Sequence, residues 1–146
     1  MPVFFSFAQV REDLAKHIAT LTADEVWCWV GKNSIGFHLK HLAGSVDRLT
    51  TYLAGSPLNA AQLEFLQHEH DAGDRLPELL QLVERALRGA EEQLLRLDPA
   101  TLFEGRTVGR RALPTTVLGL LVHLAEHTQR HLGQIITLSQ IVRQTA

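Results

Sequence analysis

The chain has 146 residues, 45% hydrophobic and 21% charged, which is enough apolar matter for one globular domain over residues 1–146. Its net charge of −2 excludes the broad positive field that nucleic acid or an anionic membrane requires. A lone cysteine, Cys28, excludes an internal disulfide. MPVFFSFAQVREDL lacks the basic-then-apolar order of a leader, so the expected setting is reducing and cytoplasmic.

Four amphipathic helices are expected in chain order, with no convincing strand. The first covers Phe5 to Leu21, where Phe7, Val10, Leu14, Ile18 and Leu21 recur at spacings of three and four. TADE and VWCWV follow as an extended link or a single helical turn, with Cys28 read as a small buried hydrophobe. The second helix starts at Asn33 or Ser34, both good caps, and stops near Ala54 before Gly55 and Pro57. A loop-like connection with one short helix leads to the third, capped by Asp74 with Pro77 in its first turn and ending near Leu97. Residues 98–113, with Arg106, Arg110 and Arg111, read as a loop. The fourth helix opens at Pro114 and runs towards Val142. The fold class is therefore all-α, a four-helix bundle.

The chemistry lies in the histidines. HLAEHTQRHLGQ, residues 123–134, carries His123, His127 and His131 at intervals of four, which is one helix face. Measured from the centre of the stripe Val117, Leu120, Leu121, Leu124, Ile135, Leu138 and Val142, His131 lies roughly 20° off, His127 roughly 60° and His123 roughly 100°. HLAEH also matches an inverted zinc-peptidase pattern, H-x-x-E-H, but the wheel turns Glu126 outward. HTQRH instead points two imidazoles inward, where a metal ion or a hydrogen-bond network must satisfy them. A third ligand comes from HLKH on the second helix. There His38 lies roughly 60° and His41 roughly 120° from the stripe centre, so periodicity favours His38 while a flank position can still face an interhelical cleft.

Together, NSIGFHLKHLAGSVDRLTTYL and LVHLAEHTQRHLGQI resemble the DinB/YfiT-like superfamily of metal-binding four-helix proteins. The resemblance runs from about Phe5 to Val142. It rests on a histidine about seven residues after a Ser-Ile-Gly start, here His41 after Ser34, and on H-x-x-x-H-x-G-Q, here His127, His131, Gly133 and Gln134. It implies a three-histidine metal site of His41, His127 and His131, with His38 and His123 as fallback ligands. Gln134 is the candidate for bracing the ligands and Gly133 for close helix approach. The implied cofactor is zinc, nickel, iron or manganese.

Three neutral histidines leave an ion its charge and an open position, the pattern of a catalytic site. The resemblance implies either a metal-dependent hydrolase or an enzyme activating a low-molecular-weight thiol, such as bacillithiol or mycothiol, for S-transfer or isomerisation. A non-catalytic metal or small-ligand binding protein is the alternative. Arg106, Arg110 or Arg111 could meet the carboxylates of such a thiol. The expected partners are a small-molecule substrate and a second copy in a homodimer.

Overall fold

A computed structural model describes residues 1–145. Six helices and one hairpin follow in order: α1 Pro2–Ile18, α2 Ala23–Trp27, α3 Ile35–Leu53, α4 Ala60–Gln67, α5 Leu76–Leu94, β1 Gly105–Val108, β2 Leu113–Thr116 and α6 Val117–Thr145. The long helices α1, α3, α5 and α6 are the expected bundle. α6 packs on α1 and α3, and α3 packs on α5 and α6. The α1–α5 side is closed by Arg11, whose guanidinium bonds Glu84 at 2.7 Å and Glu91 at 2.7 and 2.9 Å. Among the described residues, no helix is long and apolar enough to cross a membrane.

Local chemistry sets the helix starts. The Ser34 hydroxyl accepts the Phe37 N–H at 3.1 Å and opens α3. Thr22 and Glu25 cap each other's backbone N–H groups, so TADE begins a helical turn rather than a link. Asn59 and Gln62 do the same for α4. α5 begins one residue later than expected. Its cap is Arg75, held by the Glu78 carboxylate, while Asp74 pairs with Lys40 at 2.7 Å.

The stripes pack as periodicity predicts. Phe7, Ile18, Leu39, Leu79, Leu87, Leu124 and Ile135 are fully buried in one core cluster. Three expectations are corrected. Residues 105–116 form an antiparallel hairpin instead of a loop and a helix start, with Arg106 opposite Thr115 and Thr107 opposite Pro114. Pro114 is tolerated because a two-stranded hairpin offers it an unpaired edge. Cys28 is exposed, because the chain turns extended after Trp27 and only Val26 of the apolar run is buried. Gly133 permits no close helix contact, since a Cβ there would meet nothing within 4 Å.

Two features fix the frame of the site. The hairpin leads straight into α6, whose first free amides are taken by the Glu104 and Leu102 carbonyls at 3.1 and 2.8 Å and by the Thr116 hydroxyl at 3.0 Å. From the other side, the Arg106 Nε–H donates to the Leu53 carbonyl at 2.8 Å, tying β1 to the end of α3.

Candidate metal centre

α3 and α6 run side by side and present two histidines each. On α6, His127 and His131 are one turn apart, with ring centroids 4.6 Å from each other. On α3, His41 lies 4.4 Å from the His131 ring and 5.3 Å from that of His127. One ring nitrogen from each of His41, His127 and His131 falls within 4.8 Å of the others. The His41 and His127 Nε2 atoms are 3.2 Å apart. Two nitrogens bound at about 2.0–2.1 Å to a tetrahedral zinc ion would be separated by roughly 3.3 Å, so the spacing fits a shared ion.

The rings behind this trio set its free nitrogens. His41 Nδ1 is 2.7 Å from the Glu69 carboxylate, which can only accept, so Nδ1 carries the proton and Nε2 keeps its lone pair. Glu69 is buried and also accepts from Arg48 Nη1 at 2.8 Å. Gly44 makes room for this pair: a Cβ there would lie 2.7 Å from both Arg48 Nη1 and Glu69 Oε1. His38, 4% exposed, lies one ring further back, with its Nδ1 2.9 Å from His131 Nδ1. When His131 is the donor in that bond, its Nε2 is free. The His127 Nδ1 is buried and finds no hydrogen-bond partner among the described residues.

Burial keeps the rings of His38, His127 and His131 neutral. Burial, and then repulsion between neighbouring imidazoles led by His41, push His38 and His127 down to about 4 and His131 down to about 3. Neutral imidazole is the metal-binding form, so the donor set and the spacing fit a divalent ion.

The other sequence candidates fall outside the trio. His123 stands beside His127, with centroids 5.4 Å apart, and its Nδ1 lies 3.0 Å from Glu126. His123, Glu126 and His127 form a second group of close ligand atoms. Glu126 is also paired with Arg130 at 2.7 Å and its side chain is 39% exposed, the surface position the wheel assigns it. Gln134 is exposed on α6 and bonds none of the histidines; the bracing contact falls on Glu69 instead. Glu69 and Arg48 were not legible as site residues. The only sequence signals were an arginine one helical repeat from His41 on α3 and a glutamate in the run HEHD.

His41 and His127 open onto a cleft of about 1070 Å³ between α3, the α3–α4 connection and the hairpin. His41, His123 and His127 line its histidine end, Leu49, Tyr52 and Leu58 its wall, and Arg106 and Arg110 its hairpin side. Comparison with curated proteins finds no match. The family model of the DinB superfamily matches residues 6–135, from α1 through both histidine-bearing helices. The chain belongs to the DinB superfamily.

Proposed function

We propose that His41, His127 and His131 hold one divalent metal ion, either zinc, nickel, iron or manganese, and that the protein uses it to activate a low-molecular-weight thiol for transfer to a small electrophile. The observation that carries this reading is the convergence of three ring nitrogens within 4.8 Å, two of them from histidines that line a 1070 Å³ cleft. A bound ion supplies Lewis-acid charge that lowers the pKa of a thiol or water in its open position. Glu69 orients His41 through Nδ1, and His38 does the same for His131. Leu49, Tyr52 and Leu58 give the substrate an apolar wall.

Thiol transfer is favoured over hydrolysis because no Asp or Glu is among the described residues that line the cleft. An amide leaving group needs a proton, and no carboxyl group among the described lining residues is there to supply it. The second reading is a metal-dependent hydrolase. It is favoured by His123, which lines the cleft next to His127 and could pass a proton towards Glu126. Self-association is part of the same reading, supported by exposed Phe5 and Val122, 81% and 60% exposed.

Metal analysis of the purified protein and of His131→Ala tests the site. About one ion per chain, lost in the variant, is expected; equal metal content in both would sink it. Turnover of chlorodinitrobenzene with a panel of thiols then separates the readings from turnover of an ester panel. A metal-loaded protein inactive in both assays would leave a binding role.

A further inference from the structure

We propose that Arg110 anchors an anionic group of the substrate, so that the cleft selects small molecules with an apolar body and a carboxylate. This inference deepens the metal-site reading and rests on it only for the reacting end of the molecule.

The cleft has two chemically distinct ends. One is lined by His41, His123 and His127. The other is the hairpin, which Arg106 fastens to Leu53, twelve residues and roughly 18 Å of helix beyond His41. Three arginines line the space between. The Arg48 guanidinium is spent on the buried Glu69. Arg106 is held by the Leu53 and Gly105 carbonyls and by the Glu104 carboxylate at 3.1 Å. Arg110, in the turn between β1 and β2, has no hydrogen bond or ion pair among the described residues. Arg111, the next residue, does not line the cleft.

No described carboxylate on the lining offsets the Arg110 charge. The facing wall is apolar and partly in water: Leu63 is 42% exposed there. A concave apolar wall with one unspent guanidinium is complementary to an amphipathic anion. Arginine's planar fork matches a carboxylate with two parallel hydrogen bonds.

The test uses 4-phenylbutyrate and 4-phenylbutanol, which share an apolar body and differ in charge. Calorimetric titration of the protein as purified is expected to show the acid binding at least about tenfold more tightly than the alcohol. Arg110→Gln should reduce the acid to the affinity of the alcohol, and Arg111→Gln should leave the preference intact. No binding of either compound, equal binding of both, or a preference that survives Arg110→Gln overturns the proposal. His127→Ala separates this inference from the metal reading. If the preference vanishes in His127→Ala and survives in Arg110→Gln, the carboxylate sits on the metal and the inference fails while the metal reading stands. If His127→Ala retains full metal content while Arg110→Gln loses the preference, the metal reading fails and the anion site stands.

Discussion

Replacing Glu69 by Gln tests how the site is held. The Glu69 side chain is 3% exposed and accepts from His41 Nδ1 at 2.7 Å and from Arg48 at 2.8 Å. Glutamine keeps the size but has one acceptor oxygen, so its NH₂ group must face one of those two donors. His41 then loses either its fixed tautomer or the negative charge behind it. Loss of such a contact costs about 10–100-fold in metal affinity. Arg48, 9% exposed, also keeps a charge with no counter-charge. Breaking a buried pair from one side costs about 3–5 kcal/mol, or on the order of 10 °C in Tm for a chain of this size. Zinc affinity is read by competition with a chromophoric chelator, and stability by thermal unfolding of the metal-free protein. In the double variant Arg48→Met/Glu69→Gln the stranded charge is gone, so much of the stability should return while the affinity stays low. A single variant with wild-type zinc affinity would refute the orienting role of Glu69.

Four further outcomes are expected. His38→Ala should keep about one metal per chain with affinity reduced about 10–100-fold, whereas His41→Ala should lose the ion; the reverse pattern would make His38 the ligand. Gly44→Ala should lower the urea midpoint by the equivalent of about 1–3 kcal/mol and weaken zinc binding, because its Cβ would lie 2.7 Å from the Arg48–Glu69 pair and the Phe65 ring. Gly133→Ala, with open space around its Cβ, should be neutral or stabilising by about 0.5–1 kcal/mol, and a large loss there would refute the packing argument. The metal-free protein should lose stability as pH falls. The rings of His38, His127 and His131, held down to about 4, 4 and 3, stay neutral in the fold while the unfolded chain protonates them near about pH 6.5. Their contribution is therefore full above that pH and declines below it. Urea midpoints that stay flat between pH 6.5 and pH 5 would contradict this.

The bundle was legible because its signals are local. Ser34 caps α3, Pro77 sits in the first turn of α5, and Gly55, with φ of 77°, stands just beyond the end of α3 where a left-handed residue is required. Errors arose where apolar pattern and backbone part company. Leu21 is 8% exposed and continues the α1 stripe, yet the helix ends at Ile18, so the stripe outlasts the helix and shifts its apparent boundary. VWCWV reads as core by composition, yet Trp29 is 54% exposed. In the hairpin, four β-branched residues, Thr107, Val108, Thr115 and Thr116, flank a turn at Gly109, but strands of four residues give too short an alternation to outweigh a proline read as a helix start.

The α3 histidines show what periodicity measures and what it omits. An angle from the stripe centre ranks residues by depth towards a single packing face. α3 has more than one, because it lies against α2, α4, α5 and α6. The residue nearer the stripe centre, His38, is accordingly the deeper one, and its ring reaches His131 from behind. His41, at roughly 120°, is placed on the flank that lines the cleft. That flank suits a ligand: one nitrogen faces His127, the other is held by Glu69, and the residue lines the cleft. Depth and ligand geometry are different quantities. The histidine that periodicity buries best is the one suited to support, while the one it ranks second stands where an ion could be reached.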